Sequence, residues 1–275
     1  MKRTGHRGRI TGFVGMAILA INVAGAIFAP VIAQHGPADL VGDVWDPPSA
    51  SAWLGLDNLG RDILARLLYG GRTSMTITVT STALAFVIGV VGGFTAAITP
   101  RWVDLALSRS VDVLMAVPQL ILALVVLSVL GTSIPVLIVT IAILTSTRIF
   151  RVSRAVGMGI VVMDYVESAR LRGERIGWII VREMLPNALP PLLAEFGVRF
   201  CYTLLFVSSL SFLGLGVQPP NADWGSMVRD NVMVINFGGF APLIPATAIA
   251  LLTIGVNLVV DWFVVMYVRT HGEGM

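Results

Sequence analysis

Hydrophobic residues in this chain gather in long runs without charge, rather than recurring at the spacing of a surface helix or a half-buried strand. Because a bilayer core requires about 20 apolar residues per helix, such runs predict membrane-spanning helices. Six are present, at 11–33, 73–100, 113–130, 133–147, 190–217 and 241–268. The fourth is short, and we expect Arg148 to extend from its end toward the interface. The pattern predicts an all-α, polytopic membrane protein with six transmembrane helices.

Composition supports this fold class and excludes several others. Hydrophobic residues make up 56% of the 275 residues and charged residues 13%, with a mean hydropathy of +0.84. An average soluble domain is about 25% charged. A soluble enzyme, a disordered chain and a nucleic-acid-binding protein are therefore excluded, and the 19 Lys and Arg residues are too scattered for a nucleic-acid surface.

The distribution of cations predicts the orientation in the membrane. Fourteen Lys and Arg residues fall on the side of the N-terminus and four on the opposite side, with Arg199 inside the fifth run. The positive-inside rule then places both termini in the cytoplasm, in a multi-pass inner-membrane protein. The first run is longer than the apolar region of a signal peptide, which favours a retained anchor.

Two polar segments interrupt the runs and suggest a division of the chain. Residues 1–72 comprise the N-terminal anchor and an outer segment, and residues 73–268 form a transmembrane domain with a cytoplasmic loop at about 148–189. This loop alternates apolar and charged residues at helical spacing, which predicts short helices that break at Gly173. Two interpretations remain open: a helix that rests on lipid headgroups, or a rigid docking element for a cytoplasmic partner.

Residue counts exclude some chemistry. The single cysteine, Cys201, rules out an intramolecular disulfide, and the three histidines are too far apart in sequence for a zinc helix, so we expect no metal site. Lys2 is the only lysine and follows no glycine-rich loop, so the chain is not a P-loop ATPase. We identify no catalytic residues.

One stretch of the cytoplasmic loop resembles the EAA motif of ABC importer permeases. It reads Glu167-Ser168-Ala169, then Gly173 after three residues, and Leu185-Pro186 after eleven more. Ser168 replaces the middle alanine, and Glu183 stands where the motif has an aliphatic residue. The resemblance implies that Glu167, Ser168, Ala169, Gly173, Leu185 and Pro186 couple the chain to an ATPase.

Outer stretches are similar to the C-type permeases of dipeptide, oligopeptide and nickel importers. They are LGLDNLGRD at 54–62 with RLLYG at 66–70, and LSFLGLGVQPP at 210–220 with DWG at 223–225. The resemblance implies an outer gate or a contact with an external binding protein. The residues assigned to it are Asp57, Gly60, Arg61, Asp62, Pro219, Pro220 and Trp224. Trp224 is equally compatible with an interfacial aromatic belt.

The resemblance implies a type I ABC importer permease fold and an assembly in which separate subunits have separate roles. A sister permease completes the pathway, an external protein delivers the solute, and two separate ATPase subunits bind ATP and Mg, so this chain holds no cofactor. Di- or oligopeptides are the expected solute, with nickel, a metallophore or an opine as alternatives.

Glu195 and Arg199 are four residues apart in the fifth run and share a helix face. They form either an ion pair near the cytoplasmic interface or part of the pathway. An ion-driven secondary transporter is a weaker alternative, because the chain has no convincing internal repeat. An intramembrane enzyme is weaker still, because no His, Cys or paired-Asp constellation is present.

Overall fold

The computed structural model describes the backbone from residue 3 to residue 272 and the side chains from residue 11 to residue 266. The α-helices are α1 (Arg3–Ile27), α2 (Ala29–Ile32), α3 (Ile63–Ile98), α4 (Arg101–Ala116), α5 (Gln119–Leu130), α6 (Ile134–Val161), α7 (Asp164–Leu171), α8 (Ile176–Ile179), α9 (Leu185–Phe212), α10 (Trp224–Asn231) and α11 (Leu243–Gly272). A π-helical turn, Ile180–Met184, joins α8 to α9, and a 3-10 helix, Val232–Phe237, follows α10. Regular structure in these residues is entirely helical, which confirms the all-α prediction.

The predicted hydrophobic runs all fall on these helices. Among the described residues, four helices are long and apolar enough to cross a membrane: Ile63–Ile98, Ile134–Val161, Ile176–Phe212 and Leu243–Met266. The pair α4 and α5 adds a fifth if it is counted as one broken span, and Thr11–Ile27 is a shorter apolar helix. The terminal cations of the orientation argument, Lys2, Arg3, Arg7, Arg9 and Arg269, lie outside the described side chains.

The third run is not one straight helix. It breaks at Val117-Pro118, and α4 and α5 meet at an angle of 87°. Proline lacks an N–H and disfavours helical backbone in the residue before it, which explains the break. Helix α4 carries the charged residues Asp104 and Asp112, whereas α5 is apolar. The bend therefore gives the charged helix a different direction from the apolar one.

Three other predicted boundaries are wrong because charged residues do not end the helices. Helix α6 continues fourteen residues beyond Thr147, so Arg148 lies inside it. The helix that ends at Phe212 begins at Ile176 rather than near residue 190, and α3 begins at Ile63 rather than residue 73. The predicted division of the chain after residue 72 therefore falls within α3, and it stays a prediction.

Close packing of α3 against α6 forms the centre of the bundle. A Cβ at Gly89 would lie 2.6 Å from Cβ of Ile149, and one at Gly93 would lie 2.7 Å from the carbonyl oxygen of Phe150. These small residues, four apart, allow the two backbones to approach, as is common between transmembrane helices. This contact fixes α6, whose C-terminal end leads into the loop that contains Gly173.

Candidate functional site

The loop after α6, which the distribution of cations predicts to be cytoplasmic, folds as a helix, a glycine turn and a second helix. We call residues 164–179 the inner knob. The N–H of Gly173 donates to the carbonyl of Arg170 at 2.9 Å, and the N–H of Glu174 donates to the carbonyl of Ala169 at 3.2 Å. These two bonds form a Schellman motif, whose capping residue adopts a left-handed conformation. Gly173 has φ of +78°, so glycine suits this position. The predicted break at Gly173 is confirmed.

The inner knob is anchored to the bundle by one face of α7. Val166 and Ala169 are fully buried and pack in a cluster with Phe94 of α3 and Met184. The guanidinium of Arg170 also donates to the carbonyl of Ile98, at the end of α3. An apolar contact and a side-chain hydrogen bond therefore both fix the orientation of α7 against α3.

The opposite face of the inner knob is open to solvent. Glu167, Ser168 and Gly173 are exposed, and no atom lies within 4 Å of where a Cβ of Gly173 would be. Leu171 is 84% exposed and Trp178 38%. Apolar side chains surrounded by charged ones at a rigid, protruding turn are typical of a protein–protein contact.

Leu185 and Pro186 lie where the second helix changes its winding. Pro186 has no N–H to donate to the preceding turn and its ring crowds that turn. The π-helical turn Ile180–Met184 widens the backbone just before it, and the side-chain amide of Asn187 donates to the carbonyl of Glu183 at 2.7 Å. Glu183, the departure from the aliphatic residue of the motif, lies 3.8 Å from Arg172 and ties this turn to the knob.

The outer residues form a buried ionic network. Asp57 accepts hydrogen bonds from Nε of Arg61 at 2.8 Å, and its carboxylate lies 3.1 Å from Nε of Arg66. Asp230 of α10 lies 3.7 Å from Arg66, and the N–H of Asn58 donates to Asn231. Since Asp57 is fully buried and Arg66 is 3% exposed, these ion pairs offset buried charge and connect the outer segment to α10.

Trp224 joins the same arrangement from α10. Its indole Nε1 donates to the carbonyl of Leu67, and its backbone N–H donates to Oγ of Ser74. A Cβ at Gly71 would lie 2.8 Å from the indole ring, which explains why a glycine pair precedes Arg72. Because Trp224 is 2% exposed, its side chain packs inside the protein and not in an interfacial belt.

The other predicted outer residues divide into buried and exposed groups. Asp62 is 2% exposed and caps α3 by accepting from the N–H of Leu64. Gly60 has φ of +77° and approaches the carbonyl of Gly42 closely. Pro219 and Pro220 are exposed. Only the exposed group can touch another protein directly, and the buried residues act within this chain.

A charged cluster lies within the membrane-spanning helices α6 and α9. Nε of Arg199 lies 2.6 Å from the carboxylate of Glu195, and both side chains are mostly buried. The guanidinium groups of Arg199 and Arg148 lie 5.8 Å and 5.5 Å from the centroid of the Tyr202 ring. Sequence reasoning missed this placement of Arg148 and Tyr202, because the fourth hydrophobic run ends at Thr147 and α6 does not.

Two neighbouring arginines on α6 are paired across to α4. Arg154 makes two hydrogen bonds to Asp104, the second at 2.6 Å, and Arg151 donates to Asp112 at 2.8 Å. These pairs hold the bent α4 against the C-terminal half of α6. No group of three or more His, Cys, Asp or Glu that could hold a metal ion occurs among the residues that the structure describes.

Comparison with known proteins gives the family of this helical membrane protein. Residues 88–270 match the model of the family described as binding-protein-dependent transport system inner membrane component. The chain belongs to this family. It is thus a multi-pass inner-membrane permease of an ABC importer, which works in an assembly with other subunits and is not itself catalytic.

Curated relatives are similar over nearly the whole chain. A dipeptide transport system permease protein of Alkalihalophilus pseudofirmus is 31% identical over 249 residues, covering 90% of this chain and 82% of that protein. A di/tripeptide transport system permease protein of Pseudomonas aeruginosa is 32% identical, covering 93% of this chain and 86% of that protein. A glutathione transport system permease protein of Pectobacterium atrosepticum is 33% identical, covering 78% and 71%.

Solved structures support the fold. Inward-facing conformations of the MetNI methionine ABC transporter include a chain with a TM-score of 0.57 and 19% identity, covering 74% of this chain and 95% of that chain. A chain of an amino acid ABC transporter has a TM-score of 0.52 and 18% identity, covering 74% and 94%. These likenesses confirm the predicted type I importer permease fold.

Proposed function

We propose that this chain is one of two permease subunits of an ATP-driven importer that moves di- or oligopeptides into the cell. Two ATPase subunits, which bind ATP and Mg, dock on the inner knob, while an external binding protein delivers the peptide. This chain contributes no cofactor of its own. The single observation that carries the proposal is the inner knob, which is exposed on one face and fixed to the bundle on the other.

The geometry of the knob suits force transmission. Glu167, Ser168 and Leu171 are available to a partner, whereas Ala169 is fully buried two residues before Leu171. A partner that pulls on this exposed face moves α7 as a rigid unit, because a capped turn and a packed apolar face resist local deformation. Rocking of the permeases between two states needs such a unit. A helix resting on lipid headgroups would not require one.

The names of several relatives support peptides as the solute. Permeases named for dipeptides, di/tripeptides and glutathione, all peptide-like, are 31–33% identical to this chain. Nickel, a metallophore or an opine is the alternative solute. The external binding protein is the subunit that decides among them in our proposal, so screening it with each solute separates these alternatives.

The outer surface is proposed to receive the binding protein. Pro219 and Pro220 are exposed beside α10, and the network around Asp57 holds this surface in place. Movement of α9 would therefore displace the docking surface, because the segment 213–223 connects α9 to α10 directly.

Glu195 and Arg199 are proposed to border the pathway. A charge within a membrane-spanning helix usually faces a water-filled cavity or a partner group, because facing lipid is unfavourable. The pair neutralises itself, while its neighbours Arg148 and Tyr202 are exposed on the surface of this chain. With both termini in the cytoplasm, as the distribution of cations predicts, this cluster lies toward the cytoplasmic half.

Affinity purification from native membranes in mild detergent, followed by mass spectrometry, tests the proposal. We expect two P-loop ATPase subunits and a second permease to accompany the chain. A chain that purifies alone or only with itself, under conditions that preserve a known ABC complex, would contradict the proposal and favour an ion-driven carrier.

A further inference from the structure

Arg148 is a cation inside a membrane-spanning helix without a carboxylate partner among the described residues. It lies fourteen residues into α6, about 21 Å from the outer end at 1.5 Å per residue. Arg151 and Arg154, one and two turns nearer the cytoplasm, are both paired with aspartates of α4. Arg148 differs from them in position and in pairing.

The neighbourhood of Arg148 carries an excess of positive charge. Arg148 and Arg199 flank one aromatic ring, and Glu195 is already bound to Arg199. Stacking on Tyr202 orients the Arg148 guanidinium and leaves its N–H groups free to donate. The side chain is exposed, which is unfavourable toward lipid, so its face borders water or another polar group.

A second polar group points to a ligand at the same place. Where α4 meets α5, Arg148, Thr147 and Gln119 line a cavity of about 150 Å³. The side-chain Nε2 of Gln119 is buried there and has no hydrogen-bond partner. A buried donor without a partner is unfavourable unless another group accepts from it. An amide donor and a planar guanidinium together match the two oxygens of a carboxylate.

We propose that Arg148, oriented by the ring of Tyr202, and Gln119 form a subsite in the pathway that binds a carboxylate of the transported solute. This inference rests on the proposed function, since a peptide carries a C-terminal carboxylate. The cavity is large enough for that end group and too small for a whole peptide. The subsite therefore binds one end of the solute on its way to the cytoplasm and does not select among its side chains.

Binding of labelled trialanine and of trialanine amide to the purified, nucleotide-free complex tests the subsite. The wild type is expected to bind the free acid at least about tenfold more tightly than the amide, because only the acid offers a charge-assisted hydrogen bond. Arg148→Gln should remove this preference by weakening the acid alone, and Arg148→Lys should restore part of it. Arg151→Gln is the matched control, one turn away and paired with Asp112.

Other outcomes overturn the inference. No preference of the wild type for the acid, or an unchanged preference in Arg148→Gln, would show that the arginine only extends toward water. If the sister permease no longer co-purifies with Arg148→Gln, and the acid and the amide bind equally weakly, then Arg148 pairs with a carboxylate of the sister permease and not with one of the solute. If Arg148→Gln does not assemble, Gln119→Leu provides the test: we expect a reduced preference, and full retention contradicts the subsite. A wild-type complex that takes up no peptide with ATP contradicts the proposed function itself.

Discussion

The outer segment and the inner knob carry similar numbers of charged residues, yet they use them in opposite ways. Around Asp57 the charges are buried and bind one another, and glycines such as Gly60 and Gly71 are approached so closely that a Cβ would clash. On the knob, Glu167 is exposed and Gly173 has open space around it. A buried network stabilises one shape, whereas exposed charges around Leu171 leave a surface for a partner.

The comparison separates two kinds of sequence motif. The outer motif is recognisable because its residues are needed by one another within this chain. The inner motif is recognisable because its turn must present a surface to another chain. Substitutions in the first should act on folding, and substitutions in the second should act on assembly and coupling.

Removing Asp57 should have the largest effect on stability. Asp57→Ala leaves the buried Arg61 and Arg66 without their shared carboxylate, and breaking a buried ion pair typically costs about 3–5 kcal/mol. Thermal unfolding of the purified protein and its level in membranes measure this. Asp43→Ala, at an exposed position of the same segment, is the control. Equal unfolding temperatures for the two variants would contradict the structural role of the network.

Leu171→Asp should come next and should act on assembly alone. A charge at a side chain that is 84% exposed leaves folding intact, but in a docked interface it should reduce co-purification of the ATPase subunits about tenfold or more. Leu40→Asp is the matched control, because Leu40 is 74% exposed in the outer segment. A similar yield of ATPase subunits for both variants would show that Leu171 faces no partner. Glu167→Arg should weaken the same association.

Asp223→Ala should have a smaller effect, on the outer arrangement only. The Asp223 carboxylate caps α10 by accepting from the N–H groups of Gly225 and Ser226, and loss of such a cap costs about 1 kcal/mol. Asp223→Asn keeps an acceptor and should lose less stability than Asp223→Ala. If both variants unfold at the same temperature as the wild type, the cap does not stabilise the protein.

The same residue predicts a pH dependence. Burial raises the pKa of the Asp223 carboxyl. A carboxyl with a higher pKa in the folded state stabilises the fold below its unfolded pKa of about 3.9, and this contribution is lost as pH rises through the folded pKa. The unfolding temperature of the wild type relative to Asp223→Asn should therefore fall as the pH rises above about 4. A constant difference would contradict this.

Local signals predicted the membrane helices and the inner knob, because runs without charge and a glycine after a short amphipathic helix act over a few residues. The sequence does not predict that α6 continues past Arg148. Arg151 and Arg154 are accommodated in α6 because they pair with Asp112 and Asp104, about forty to fifty residues earlier in the chain. These aspartates lie on α4, which bends away from α5 at Pro118. Burial of Asp57 was missed for the same reason, since Asp230 and Asn231 are far away in sequence. Contacts between distant elements decide both cases.

Coupled transport by Gly173→Val tests the central claim most directly. Valine is strained at φ of +78°, so the turn should be distorted while the helices remain inserted. Gly177→Val is the matched control, because its Cβ also meets open space but its backbone is helical. In proteoliposomes with ATPase subunits and binding protein, we predict that Gly173→Val still hydrolyses ATP but takes up little peptide per ATP, whereas Gly177→Val behaves as the wild type. Full coupled uptake by Gly173→Val would contradict the coupling role of the inner knob.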